Sequence, residues 1–276
     1  MIKDIIVCSN NLSGREKTIK AAACFSKQNN ACLTGLHIMN DAVNRYYAYE
    51  HLSEDFMRGV IEEEKNRAAT SGKSFAKICS DAECDHNWLS IWESQNPVQY
   101  IFYTDIVFVG HDKNDDSLLF DSLDFINHTM LNSGRPLIVI PTEWKGEGIG
   151  NNVMLAWNES RESVRAMHES LFLMQQVEKV HVVTVNEGAS NNIELATGIE
   201  ISEYLSRRNI NCQLFAEKTD ENAATISQVL LAHAEKNNID LIVMGGYGHS
   251  RLREILLGGV TRDMFKNSNI PLFILH

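Results

Sequence analysis

The chain repeats itself. Residues 105–110, DIVFVG, return at 240–245 as DLIVMG, and NSGRPLIVI at 132–140 returns at 267–275 as NSNIPLFIL. Both matches lie 135 residues apart, so the stretch between them aligns without a gap. Near the start of each half, IIVCSN (5–10) matches VMLAWN (153–158) at a separation of 148, and the tail of GLHIMN (35–40) matches VVTVN (182–186) at 146. The falling separation puts extra residues in the first half, between Asp41 and Cys84. A period this long is a duplicated domain rather than a solenoid repeat. The expected domains are 1–147 and 148–276, joined at Lys145-Gly146-Glu147-Gly148-Ile149-Gly150, where three glycines loosen the backbone.

Apolar runs without polar alternation mark strands buried on both faces. In the second half these are Val153–Ala156, Val180–Val185, Leu241–Met244 and Leu272–Leu275, with Cys212–Ala216 as a weaker fifth. Helical spacing falls between them, at Val164, Met167, Leu171 and Met174, and at Ile226, Val229, Leu230 and Ala234. Strand and helix alternate, so each half is expected to be a doubly wound α/β domain around a parallel five-stranded sheet, Rossmann-like in class. In such sheets ligands sit beyond the carboxyl ends of the strands.

Charge narrows the function. The chain has 25 Lys+Arg against 36 Asp+Glu, a net charge of −11, which disfavours a protein that grips nucleic acid backbone. No apolar run reaches the ~20 residues of a membrane span, and the N-terminus lacks the pattern of a secretory signal. Six scattered cysteines read as reduced thiols. The expected compartment is the cytoplasm.

The most informative segment follows the strand at Leu241–Met244. It runs Gly245-Gly246-Tyr247-Gly248-His249-Ser250-Arg251 and on to Gly258-Gly259-Val260-Thr261, where a helix is expected to start. Glycine lets a backbone come close to a ligand, and the N–H groups of a helix start bind anions. His249, Arg251, Arg253 and Arg262 add positive charge, and His249 and Asp240 are expected near the ligand, neither placed to activate water. Taken alone, the glycines could equally be turn punctuation.

The spacing Gly245-x2-Gly248-x9-Gly258 resembles the nucleotide-binding motif of the universal stress protein family. The likeness continues through the end of the chain, and the duplicated layout resembles a tandem member. It implies ATP or a related adenine nucleotide, with Mg²⁺ as an optional companion. The phosphates would lie on Gly245, Gly248, His249, Arg251, Gly258, Gly259, Val260 and Thr261. The ribose would lie at Asn158, after Ala156 and Trp157, and the base against Thr184. Position 259 is Gly where the usual motif has a hydroxyl, and position 158 is Asn where a carboxylate is usual. The likeness also implies that the halves pack as a pseudo-dimer through Leu137–Ile140 and Leu272–Leu275, leaves homodimerisation open, and gives a stress-response or signalling role. A protein-interaction module and a slow ATPase are the alternatives.

The first half departs from this pattern. Gly245 maps to Gly110, but Gly248, Gly258 and Gly259 map to Lys113, Leu123 and Asp124. Residues 110–141 carry two basic and five acidic residues, whereas 245–276 carry four and two. Only the second half is expected to bind nucleotide.

Other signals are weaker. Ser71-Gly72-Lys73-Ser74 imitates a phosphate loop but sits in an expected helix. Asp112-Lys113-Asn114-Asp115-Asp116 lacks the calcium-loop pattern. Cys79-x4-Cys84-x-His86 lacks a second ligand pair for zinc. His168, His181 and His233 read as scattered structural residues. No catalytic motif is present, so at most weak ATP hydrolysis is expected.

Overall fold

The computed structural model describes the chain apart from residue 1, residues 11–14, 42–52, 113–121, 147, 187–192, 220–223 and 248–258, and the side chains of 193–197. It divides into two compact units, Met1–Arg135 and Pro136–His276.

The first unit holds strands β1 (Asp4–Cys8), β2 (Cys32–Met39), β3 (His86–Trp92) and β4 (Ile106–His111). They lie in the order β3-β2-β1-β4, and each neighbouring pair is parallel. Helices α1 (Arg15–Asn29), α2 (Glu54–Asp81), α3 (Pro97–Ile101) and α4 (Ser122–Ser133) connect or flank them. β1 and β4 carry buried apolar side chains almost throughout, as strands covered on both faces must.

The second unit opens on β5 (Leu137–Pro141), then β6 (Val153–Ala156), α5 (Arg161–Met174), β7 (Val180–Asn186), α6 (Ile193–Ser206), β8 (Cys212–Lys218), α7 (Ile226–Lys236), β9 (Leu241–Gly245), α8 (Gly259–Asn267) and β10 (Leu272–Leu275). Its strand order is β5-β10-β9-β6-β7-β8, parallel throughout except for β5 against β10. Each half of the sequence therefore supplies five strands, and the fold is doubly wound α/β. The antiparallel pair matches Leu137 with Ile274 and Val139 with Leu272, the two segments that the family resemblance brings together. This ladder groups β5 with the second unit, so the spatial division falls ahead of the glycine-bearing joint at 145–150.

Local sequence sets the helix starts. Ser160 Oγ accepts from Ser163 N–H at 3.1 Å and caps α5. Thr225 and Gln228 form a reciprocal capping box on α7. The extra residues of the first half lengthen a helix: α2 has 28 residues where its counterpart α6 has 14. The segment Ser71–Ser74 lies inside α2, not after a strand. α2 packs on the sheet through Phe75, whose ring centroid is 5.3 Å from that of Trp88. A Cβ on Gly35 would come within 2.7 Å of the Trp88 ring, so glycine there makes room for the indole.

Asp240 corrects an expectation. It precedes β9 at the amino end, away from the glycine loop. Its Oδ1 accepts from the N–H groups of Gly150 and Asn152, and its Oδ2 from the N–H and Nδ2 of Asn151, all at 3.0 Å. Asp105, 135 positions earlier, accepts likewise from the N–H groups of Lys3 at 2.7 Å and Asp4 at 3.1 Å. The repeat thus conserves within itself a carboxylate that anchors the entering chain. The ladders also shift one match. Cys8 pairs with Leu36 and Ala156 with Val183, which equates Leu36 with Val183, one residue from the alignment of GLHIMN with VVTVN.

Candidate functional site: the crevice beyond strands β6 and β9

β6 is the strand at which the direction of winding reverses. From it the chain steps outward to β7 and β8, and later to β9 and β10 on the other side. A crevice is expected beyond the carboxyl ends of β6 and β9 at such a switch point.

Backbone strain marks the same place. Seven non-glycine residues have positive φ among the described residues. Five of them, Asn30, Glu83, Asn96, Asn209 and Asn238, follow helical segments, where a left-handed residue is a common cap. The other two are Glu159 (φ +56°), beyond β6, and Tyr247 (φ +69°), beyond β9. Left-handed backbone costs a bulky residue about 1–2 kcal/mol, and such strain concentrates at functional sites.

On the β6 side, Ala156 ends the strand, paired with Val183. Trp157 is buried, and its N–H donates to Val183 O at 2.9 Å. Asn158 is exposed. Its Oδ1 accepts from Ser160 N–H at 3.2 Å and Ser160 Oγ–H at 2.8 Å. It therefore shapes the turn into α5. Thr184 and Asn186, on β7, are both buried. Asn186 was not singled out in the sequence, because a buried Asn at a strand end has no motif around it.

On the β9 side, Gly245 is required by the protein itself. A Cβ there would lie 2.5 Å from Glu162 C and Ser163 N, in the first turn of α5. Gly246 N–H donates to Leu275 O at 2.8 Å, and Gly246 O faces His276 Nδ1 at 3.2 Å. Tyr247 meets His276 edge-on at 5.7 Å between ring centroids, and burial pushes its phenol up to about 12. Tyr247 N–H donates to the buried Thr261 Oγ1 at 3.4 Å, which ties the start of the loop to α8.

Gly259 opens α8, and Val260 and Thr261 follow in its first turn. Among the described residues, a Cβ on Gly259 would meet nothing within 4 Å, so none of their contacts demands glycine there. Arg262 is exposed in the same turn. Gly248, His249, Arg251 and Gly258 lie outside the described residues.

Two histidines read as scattered are in fact joined. His181 Nδ1 lies 3.1 Å from His233 Nε2, and His233 Nδ1 lies 3.0 Å from Glu217 Oε1. The His181 ring stacks on Phe215 at 4.7 Å. Their sequence separation of 52 hides the pairing. Among the described residues, no group of three or more His, Cys, Asp or Glu side chains is arranged to hold a metal ion.

Residues 151–276 match the profile of the universal stress protein family. Through this half, the chain belongs to that family. A universal stress protein of Methanocaldococcus jannaschii is 45% identical over 42 residues, 15% of this chain and 26% of that protein. One from Synechocystis is 38% identical over 66 residues, 20% of this chain and 23% of that protein. The matched stretches span about a quarter of each relative. Among solved structures, a universal stress protein of Archaeoglobus fulgidus superposes with a TM-score of 0.72 at 16% identity, covering 98% of this chain and 97% of its own. A Pseudomonas aeruginosa protein given the same family name reaches 0.64 at 12% identity, covering 99% and 93%. At such identities the likeness is one of fold, and it takes in both halves. Among the described residues of this universal stress protein fold, no helix is long and apolar enough to cross a membrane.

Proposed function

We propose that the second unit binds an adenine nucleotide, ATP or a close relative, in the crevice beyond β6 and β9, and acts as a nucleotide-responsive module in stress or signalling. The carrying observation is the pair of left-handed turns at Glu159 and Tyr247, one on each strand flanking the switch point. Strain at both lips of one crevice is costly unless the turns serve a ligand.

Two further features support the reading. α8 starts at Gly259, immediately after the motif Gly245-x2-Gly248-x9-Gly258. The N–H groups of its first turn, at Gly259, Val260 and Thr261, suit phosphate oxygens, which the helix dipole also favours. At the other lip, buried polar atoms of Trp157, Thr184 and Asn186 stand without a partner, which suits a polar ligand more than an apolar one. Mg²⁺ would be held chiefly by the phosphates, because Asn158 brings no charge to it.

The test is direct. Protein purified without added nucleotide is denatured, and released small molecules are identified by mass spectrometry. Calorimetric titration with ATP follows. An adenine nucleotide in the first measurement, or saturable binding near one per chain in the second, is the expected result. Neither would sink the proposal and leave the protein-interaction reading in its place.

A further inference from the structure

The array His181–His233–Glu217 takes no part in the nucleotide reading. It lies on the face of β7 and β8 that α7 covers, because His233 comes from α7 and reaches both strands. His181 is half-buried, His233 is buried, and the Glu217 side chain is 40% exposed.

The fold does not require these imidazoles. α3 is capped by Phe102 and α7 by Asn237, 135 positions later, the separation of the gapless repeat. His233 therefore corresponds to Val98, which is also buried. Ladder register equates His181 with Thr34. One repeat fills the buried helix position with hydrocarbon, and the other places a polar ring there, which burial penalises unless its nitrogens are engaged.

Both nitrogens of His233 are engaged. A carboxylate only accepts, so neutral His233 donates from Nδ1 to Glu217 and keeps a lone pair at Nε2. That lone pair faces His181 Nδ1 at 3.1 Å. Two nitrogens that share one tetrahedral metal ion, at about 2.0 Å each, lie about 3.3 Å apart. The observed spacing is close to that. Glu217 supplies the usual companion of such a site, since a metal-ligating histidine commonly gives its other ring N–H to a carboxylate. Phe215 braces both rings, stacked on His181 at 4.7 Å and edge-on to His233 at 4.6 Å between centroids.

We propose that His181 Nδ1 and His233 Nε2 together bind one divalent transition-metal ion of the kind that imidazole favours, Cu²⁺, Ni²⁺ or Zn²⁺. The ion replaces the proton that the two rings share. His181 moves that proton from Nδ1 to Nε2, so it stays neutral and no net proton is lost. Among the described residues no third protein ligand joins them, so water completes the shell and the ion is exchangeable. Glu217 is a positioning residue that holds the His233 tautomer. The site is independent of nucleotide binding.

The test uses the full chain without a histidine tag, stripped with EDTA and titrated with Ni²⁺ alone. Calorimetry gives the affinity, and amide NMR spectra give the place, because paramagnetic Ni²⁺ broadens signals near it. Val182, Phe215 and Ala234 should broaden with the first equivalent. His181→Gln keeps a donor for His233 but removes a ligand, and His233→Val installs the residue of the other repeat. Each should remove that broadening. Glu217→Gln retains an acceptor for His233 without the charge and should weaken Ni²⁺ about tenfold, as loss of an outer partner does. Broadening confined to other parts of the protein, or unchanged at these amides in either histidine variant, would overturn the proposal and leave a hydrogen-bond relay. Unchanged affinity in Glu217→Gln would overturn its positioning role. If one histidine variant fails to fold, the other decides, and the parent spectrum needs neither.

Discussion

Asn10 holds the backbone of Ile38 with both ends of its carboxamide. Its Nδ2 donates to Ile38 O at 2.9 Å, and its Oδ1 accepts from Ile38 N–H at 3.2 Å. The bond pair is buried and closes the end of β2 just beyond β1. The matching Asn158 of the second half turns to Ser160 instead. By ladder register, the counterpart of Ile38 is Val185. Among the described residues, this amide pairing belongs to the first half alone.

The two halves should therefore behave differently. Calorimetry is expected to give one ATP per chain. Asn10→Ala should lower stability by about 1–3 kcal/mol, the cost of leaving buried backbone groups unpaired. Denaturant unfolding would measure the loss, and ATP affinity in the second half should not change.

Gly245→Ala tests the packing under the crevice. The added Cβ would lie 2.5 Å from backbone atoms of Glu162 and Ser163, and backbone cannot swing aside as a flexible side chain does. Overpacking of this kind costs about 1–3 kcal/mol. α5 must shift, and Asn158 and Ser160 lie at its start. Melting temperature and ATP affinity should both fall, whereas an unchanged melting temperature would contradict the contact.

Thr261→Val removes the hydroxyl that accepts from Tyr247 N–H while keeping the side-chain shape. The strained Tyr247 turn then loses its tie to α8. The expected effect on stability is about 1 kcal/mol. ATP binding should weaken by more than the folding stability alone would suggest, and comparing the two by titration and unfolding separates the effects.

Acid should weaken both units. Burial is the main cause that lowers the pKa of His181, with the nearby His233 and Lys179 adding to it. Burial also lowers that of His37. An unfolded histidine takes up its proton near pH ~6.5. The folded protein resists that proton until lower pH, so the unfolded chain gains it first. The stabilisation is complete above about pH 6.5 and is lost as pH falls through the interval below. Melting temperatures at a series of pH values should show this decline. His181→Gln, which keeps an amide donor for His233, should flatten part of it.

Much of this was legible in sequence for physical reasons. Strands buried on both faces must be apolar throughout, so Val153–Ala156 and Leu272–Leu275 could be read directly. The motif from Gly245 to Gly258 stood out by its spacing, and at Gly245 the backbone of Glu162 and Ser163 leaves no room for a Cβ. What was hidden depends on register and direction. Asp240 looked close to the ligand because it is only five residues from Gly245, yet a strand of that length carries it to the opposite edge. The amide bond of Asn10 to Ile38 spans 28 residues and follows no pattern. Sequence alone allows Trp157 either to line the pocket or to be ordinary core, since an indole without a partner cannot be recognised until its surroundings are known.

The antiparallel ladder of β5 with β10 joins the last strand of one repeat to the last strand of the other. Between separate polypeptides, such a pairing would rise and fall with the amount of protein made. Within one chain the two strands are always in reach of each other, at an effective concentration set by the connecting chain. Scarcity therefore cannot undo it. A repeat that keeps its partner regardless of abundance is free to diverge, and acidic residues from Asp112 to Asp124, where the other repeat carries glycines, are what such freedom permits.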